Sequence, residues 1–410
     1  MKVIPPLQHM EPATTKPKVI IELFDDEQIN NVLAISEIKP EIAVYIGTKK
    51  VKAQKLKISI IACLRSLGVD TKCFFYSADM LSIDAVIREF ANVRSLYGDF
   101  IIDLTGGGEV AAAAAGICGY LYGVPLMRYD RLEKRYRNIM NCPYAETVKS
   151  DPHFNARAFM KLAGCEIKDH GHISLETLDY IGMQEVFRVW SVFCRKNEYW
   201  PKLISYLQLV SRLENGSAAY YVDAPDRVES TGIEYTCDFS MINELNAARV
   251  IYDLVPKKDR IKFKYRSPLI RSCLTDVGVT LELYVFAIAQ KSGEFDDVKI
   301  SIIVDWDGEE DNPLNTLNEV DVMLVKGQVP LFISCKSGQP NVTALNEIRT
   351  LATRFGGING RPVLVTMSEM RESDPHFCQR AEDMGIALID ASDMSSEERL
   401  LRRLLLAARL

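Results

Sequence analysis

The chain holds ten cysteines but no Cys-x-x-Cys pair and no cysteine–histidine cluster. That excludes the usual structural zinc sites. Cys63, Cys73, Cys118, Cys142, Cys165, Cys194, Cys237, Cys273, Cys335 and Cys378 are scattered over 410 residues. Such spacing reads as reduced thiols and predicts a cytoplasmic protein. His153, His170, His172 and His376 show no metal-ligand spacing. No apolar run approaches the ~20 residues of a membrane helix; the nearest, Val110 to Val124, is rich in Ala and Gly and suits a tightly packed helix. The N-terminal stretch Met1 to Pro17 is Pro-rich and lacks the apolar core of a signal peptide. An excess of positive charge is also missing. Lys plus Arg number 49 against 55 Asp plus Glu, a formal net charge of −6. A wholly basic nucleic-acid coat is thereby excluded, while a local basic groove is not.

What is present divides into three parts. From Val19 to Tyr129, short apolar runs alternate with helical patterns. Strands are expected at Val19–Phe24, Ile42–Ile46, Thr71–Tyr76, Phe100–Leu104 and Val124–Tyr129. Helices are expected at Gln28–Ser36, Val51–Leu67, Ile83–Leu96 and from Val110. Gly68 supplies a helix stop. This alternation predicts an α/β unit over residues 1–149, a Rossmann-like parallel sheet with helices on both faces. Residues 150–243 read as a helical connector, with helices at Leu175–Phe193 and Trp200–Leu213 and a break at Asn215-Gly216. Residues 244–410 form the third unit. Its helical stretch Ser267–Gln290 is interrupted near Gly278. Strands follow at Val298–Val304, Glu319–Val325, Val329–Cys335, Pro362–Thr366 and Ile386–Ile389. Lys326-Gly-Gln328 makes a hairpin turn.

Between the fourth strand and its helix lies Asp103-Leu-Thr-Gly-Gly-Gly-Glu109. This is the carboxyl end of a strand, where ligands bind in such sheets. Gly106, Gly107 and Gly108 permit a sharp turn that aims N–H groups at an anion, and Thr105 adds a hydroxyl. The glycines are followed by Glu109, Val110 and Ala111, so the loop is not G-x-G-x-x-G. No G-K-[ST] follows, so it is not a phosphate-binding loop of the nucleotide-hydrolase kind. A tight turn without ligand is the alternative. Two further strand ends meet the same edge in a parallel sheet. Gln28 is suited to a base edge or sugar, and Gly47-Thr48-Lys49 to phosphate.

A second constellation lies in the third unit. Glu282 is in a helix, Asn318-Glu-Val-Asp321 opens a strand, and Ile333-Ser-Cys-Lys336 ends its hairpin partner. Period two puts Glu319 and Asp321 on one face, and Ser334 and Lys336 on one face. Acidic groups clustered so hold Mg²⁺ or Mn²⁺, which prefer oxygen, and a nearby lysine orients water for attack on a phosphodiester. A surface ion pair at a hairpin is the plain alternative. Lys257 to Arg266 has six cations in ten residues. Lys262, Lys264 and Arg266 would share one face of an extended segment and track phosphates, with Phe263 and Tyr265 placed for base stacking. A charge-protected edge strand explains the same pattern.

The glycine turn with its Ala-rich helix, together with Leu23–Asn31 and Lys39–Thr48, resembles the CRISPR-associated Rossmann fold (CARF) domain. Leu281-Glu282, Asn318–Asp321 and Ser334-Cys-Lys336 resemble a PD-(D/E)xK restriction-type nuclease core. In this order the two resemble the CARF-nuclease effectors of type III CRISPR defence. The resemblance implies a homodimer that binds a cyclic oligoadenylate, cyclic tetra-adenylate by analogy, across its paired CARF domains. Binding would activate a metal-dependent nuclease on single-stranded DNA or RNA. Residue by residue, it gives Glu282, Asp321 and Lys336 the catalytic places, Glu282 and Asp321 the metal, and Thr105 to Gly108 the ligand loop. The family's usual second acid, two residues before the lysine, is Ser334 here, so another carboxylate, Glu319 or Glu347, is expected to replace it. The rival readings are a non-catalytic sensor or transcriptional regulator, which needs a winged-helix reader, and an inactive nuclease-like scaffold.

Overall fold

The computed structural model describes residues 7–170, 173, 175–212, 220–276, 278–306 and 317–409. The expected break at Asn215-Gly216 and His172 lie outside them. Strands β1 (Val19–Leu23), β2 (Ile42–Gly47), β3 (Lys72–Ser77), β4 (Ile101–Asp103) and β5 (Leu126–Asp130) run parallel, and β6 (Arg135–Met140) adds antiparallel at the edge. Their order is β3-β2-β1-β4-β5-β6. The inner strands are apolar almost throughout because both faces are covered. Edge strand β6, Arg-Tyr-Arg-Asn-Ile-Met, is missing from the sequence reading; it is half exposed and carries a charged pattern. The progression of strand order reverses between β1 and β4, which makes that junction the topological switch point. The helix expected from Gln28 is a 3₁₀ turn, Gln28–Asn31, followed by a short helix, Leu33–Ile38.

The central stretch contains helices Tyr180–Arg195 and Trp200–Arg212, as expected, but also strands. Strand β7 (Glu166–His170) crosses to the last unit and pairs with its outer strand. Strands β8 (Tyr221–Pro225), β9 (Arg227–Ser230) and β10 (Ile233–Thr236) precede helix Phe239–Ala247, which spans the expected border at 243/244. Strands β11 (Ile251–Lys257) and β12 (Arg260–Tyr265) then join β8 in the order β11-β12-β8, so that small sheet draws on both sides of the border. Polar segments such as Glu166-Ile-Lys-Asp-His170 escape a hydrophobicity reading because an edge strand needs few apolar residues to pair.

The last unit begins with helices Pro268–Thr275 and Val279–Ser292. Its strands are β13 (Asp297–Asp305), β14 (Leu317–Lys326), β15 (Val329–Lys336), β16 (Arg361–Thr366) and β17 (Ala387–Ile389), and β7 completes the order β17-β16-β15-β14-β13-β7. β13, β14 and β15 form an antiparallel meander, while β15, β16 and β17 run parallel. Helix Val279–Ser292 is buried nearly all round under this sheet, so it shows no amphipathic stripe. Helix Val342–Gly356 covers the other face.

Two faces of the structure share a core. Ile20, Tyr45, Ile101, Met127 and Tyr129 of the first sheet pack in one cluster with Val320, Met323, Val325, Phe332 and Leu345 of the last unit. Close packing of this kind transmits displacement rather than absorbing it. Among the described residues, no helix is long and apolar enough to cross a membrane.

Candidate functional site

The β14–β15 hairpin positions the acid–lysine set. Val322 pairs with Ile333 and Lys326 with Val329, which puts Asp321 level with Ser334 at the end away from the turn. Glu319, Asp321, Ser334 and Lys336 line one cavity of about 310 Å³. The Asp321 Oδ2 atom accepts the Cys335 N–H at 2.7 Å and the Ser334 hydroxyl at 3.3 Å. Burial pushes the Asp321 carboxyl up, and the Glu319 charge adds to this; the Cys335 N–H, Lys336 and Ser334 oppose it. The Ser301 hydroxyl donates to Glu319 Oε1. Glu282 does not line this cavity. It is buried in helix Val279–Ser292, and its charge acts on the Cys335 thiol, whose side chain points to the opposite face from Ser334 and Lys336.

The cavity's far wall comes from helix Val342–Gly356: Thr343, Asn346, Glu347 and Thr350 face Glu319 and Asp321. Their spacing of three and four residues is one helical stripe. A stripe of polar residues on an amphipathic helix normally reads as a solvated face, so only Glu347 drew notice in the sequence. Trp306 and Asn318 also line the cavity and are joined by a hydrogen bond of 2.5 Å. Apart from Lys336 and the Trp306 indole, the polar groups here are oxygen or amide groups, the chemistry that suits Mg²⁺ or Mn²⁺. Among the described residues, no three carboxylate, imidazole or thiol groups converge at metal-ligand distance.

At the carboxyl edge of the first sheet, the ends of β2, β1 and β4 lie side by side, as expected. The roles within that edge differ from the sequence reading. Thr105 is not a free donor: its hydroxyl donates to Asp103 Oδ1 at 2.6 Å and accepts the Tyr129 N–H at 2.9 Å. The Gly107 N–H is held by Asp25 Oδ2 at 3.1 Å. A Cβ at Gly107 would meet Leu23 Cβ at 2.5 Å, and one at Gly106 would meet Asp25 Cβ and the Leu23 carbonyl at 3.0 Å. These two glycines serve the close approach of loop to strand. Gly47 likewise faces Phe24, whose Cβ is 2.7 Å from an added methyl. Gly108 alone of the three loop glycines opens outward, with nothing within 4 Å of an added Cβ. It caps helix Glu109–Tyr122 without a side-chain bond, and the first N–H groups of a helix have no partner within it. Asp25, unnoticed in the sequence, anchors the loop.

Thr48 and Lys49 are exposed at the same edge, where Thr48 caps a 3₁₀ turn by accepting the Lys50 N–H at 3.4 Å. Gln28 is turned elsewhere. Its amide donates to the Asp25 and Asp26 carbonyls, and it lines a cavity of about 530 Å³ with Lys55, Phe159 and Arg354 between the first unit and helix Val342–Gly356. Behind the loop, burial pushes the Asp103 carboxyl up to about 7.

The basic strand is corrected in part. Phe263 and Tyr265 are 0% and 1% exposed, packed in the core, so neither stacks on a base. β12 is the middle strand of its sheet, not an edge. Lys264 pairs with Asp253 at 2.9 Å, Arg266 with the buried Glu185 at 3.3 Å, and Lys262 lies over the Tyr221 ring at 4.9 Å.

Residues 273–407 match the sequence model of the Card1-like endonuclease domain. Over that stretch the last unit is similar to this endonuclease domain. Its cavity is the one bounded by Asp321, Lys336 and Glu347. Two solved structures share the whole arrangement. One is protein VC1899 from Vibrio cholerae, with a TM-score of 0.71 and 15% identity, covering 95% of this chain and 98% of that one. The other is Can2 from Sulfobacillus thermosulfidooxidans, solved in complex with cyclic tetra-adenylate, with a TM-score of 0.65 and 16% identity, covering 96% of this chain and 99% of that one. At such identities the likeness is one of fold: a Rossmann-like α/β unit ahead of a second, mixed α/β unit. No curated protein matches the chain in sequence.

Proposed function

We propose that this chain is a cyclic-oligoadenylate-activated, metal-dependent endonuclease of type III CRISPR defence, cleaving single-stranded DNA or RNA as a homodimer. The observation that carries the reading is the convergence of Glu319, Asp321, Ser334, Lys336 and Glu347 on one cavity inside the Card1-like endonuclease domain. Asp321, with Glu319 or Glu347, would hold Mg²⁺ or Mn²⁺, and Ser334 would add a neutral oxygen. A bound dication supplies Lewis-acid stabilisation of charge on the phosphodiester. Lys336, at the strand end beside Asp321, orients the attacking water. Glu282, beneath the sheet, acts on this end of β15 through its charge. Lys262, Lys264 and Arg266 remain candidates for phosphate contact through charge alone.

Cyclic tetra-adenylate is the activator proposed, since Can2 shares the fold and was solved with it. The outward Gly108, the free start of helix Glu109–Tyr122, and Thr48 and Lys49 offer donors to its phosphates. Ile117, Tyr120 and Leu121 form an exposed apolar face on that helix, which supports pairing of two copies. The transcriptional-regulator reading gains little from the small sheet β11-β12-β8. Helix Phe239–Ala247, which leads into that sheet, carries no Lys or Arg. The test is cleavage of labelled single-stranded DNA and RNA with and without cyclic tetra-adenylate, in Mn²⁺ and in chelator. Activator- and metal-dependent cleavage is expected; absence of cleavage under every condition refutes the reading.

A further inference from the structure

A closed circuit of polar contacts runs between the glycine loop and the endonuclease hairpin. On one arm, the Thr105 hydroxyl accepts the Tyr129 N–H, and the Tyr129 hydroxyl in turn accepts from Gln328 Nε2 at 2.9 Å. Gln328 lies in the turn between β14 and β15 and is 3% exposed. On the other arm, the Gln328 carbonyl accepts from Asn359 Nδ2 at 3.0 Å, and Asn359 Oδ1 accepts from Arg131 Nη1 at 3.1 Å. Arg131 Nη2 donates to Asn30 Oδ1 at 2.6 Å. The neighbouring Asn31 clasps Asp25 by two bonds, from the Asp25 N–H at 2.9 Å and to its carbonyl at 2.8 Å. Asp25 then holds the Gly107 N–H, so both arms end on the same loop.

The geometry points to Tyr129 and Gln328 as positioning residues that couple the glycine loop to the β14–β15 hairpin, so that loop occupancy sets the geometry around Asp321 and Lys336. This rests on the proposed reading of the loop as the activator site and of the hairpin as the cleavage site. Three features support it. The two Gln328 contacts, to Tyr129 and to Asn359, are buried beside the core that both units share, where a broken bond finds no solvent to replace it. Gln328 Oε1 has no protein partner among the described residues, so the Gln328 side chain is tied through Tyr129 alone. The hairpin ladder from Lys326–Val329 to Val322–Ile333 is unbroken, and Asp321 stands about 17 Å along it from the turn by strand rise. A tilt at the turn therefore reaches the acid–lysine end as a rigid displacement. An activator that favours one loop arrangement must, by linkage, favour the hairpin arrangement bonded to it.

The test uses the full chain with Tyr129→Phe, Gln328→Leu and the double variant. Three quantities are measured: cyclic tetra-adenylate affinity by calorimetry, the ratio of cleavage rates with and without saturating activator, and the thermal midpoint. Tyr129→Phe is expected to keep the affinity within about twofold and to lower the activation ratio about tenfold or more. It also leaves Gln328 Nε2 buried without its partner. The double variant removes both polar groups, so it is expected to regain the thermal midpoint but not the activation ratio. Recovery of both by the double variant would show a packing effect only and overturn the coupling, as would an undiminished ratio in Tyr129→Phe. If the wild-type chain ignores cyclic tetra-adenylate, the proposed activator fails, and the coupling is judged by hydrogen exchange instead. Thr105→Val is expected to speed exchange of the amides between residues 326 and 331, and Tyr129→Phe to abolish that response. Unchanged exchange in Thr105→Val overturns the coupling without any ligand.

Discussion

Asp103 and Glu22 sit opposite each other on β4 and β1, both buried on the face toward the last unit. Burial drives the Glu22 carboxyl well above its ordinary range, with the Asp103 charge adding to it. Burial likewise pushes Asp103 up to about 7, against a usual value of 3.8. An acid whose folded value is raised binds its proton more tightly folded than unfolded. Its contribution to stability is therefore complete below the unfolded value and is lost as pH rises through the folded one. Between about pH 5.5 and about pH 7 the unfolded chain has already ionised Asp103 while the folded chain has not. At about 1.4 kcal/mol per pH unit, the folded state loses about 2 kcal/mol across that interval. Asp103→Asn keeps an oxygen to accept the Thr105 hydroxyl but cannot titrate. Equilibrium urea unfolding, followed by circular dichroism from about pH 5.5 to about pH 8, should show the wild type losing about 2 kcal/mol more than the variant. Parallel curves of stability against pH for the two proteins would refute the argument.

Lys336→Ala should abolish cleavage and leave activator affinity intact, measured by a nuclease assay beside calorimetry; retained metal-dependent cleavage removes Lys336 from the mechanism. Gly108→Val should weaken cyclic tetra-adenylate binding in a normally stable protein, since its side chain would enter open space. Gly107→Ala, at φ +86° and against Leu23, should instead destabilise the fold by roughly 1–3 kcal/mol, read by chemical denaturation. Glu319→Gln and Glu347→Gln, assayed separately in Mn²⁺, should identify which acid stands in for the carboxylate absent at Ser334; full activity in both shows that neither does. Combined Lys262→Ala, Lys264→Ala and Arg266→Ala should flatten the salt dependence of substrate binding, whereas Phe263→Ala should lower stability by about 3–5 kcal/mol without touching that slope.

The sequence determined the order of parts because that order rests on local signals. Apolar runs such as Ile42–Ile46 and Pro362–Thr366 become inner strands wherever both faces are covered, and Gly68 ends its helix with φ +69°. The hairpin that pairs Asp321 with Ser334 followed from period two and the Lys326-Gly-Gln turn alone. Polar edge strands escaped the same logic: β6 and β7 find their places by hydrogen bonding to β5 and β13, a demand set by those neighbours and not by their own hydrophobicity.

Only the tertiary structure decided what each functional side chain faces. Thr105 and Gly107 carry donors that spacing assigns to a ligand, yet Asp103 and Asp25 claim them from other segments of the chain. Phe263 and Tyr265 alternate with lysines as a stacking surface would, yet helices drawn from elsewhere bury them. The stripe of Thr343, Asn346, Glu347 and Thr350 reads as a solvated face until the β14–β15 hairpin lies opposite it. The circuit from Thr105 through Tyr129 to Gln328 joins residues about two hundred positions apart. Periodicity sets which residues share a face within one element, but the partner of that face is chosen by the packing of the whole chain, because burial and hydrogen-bond satisfaction are properties of the assembled core.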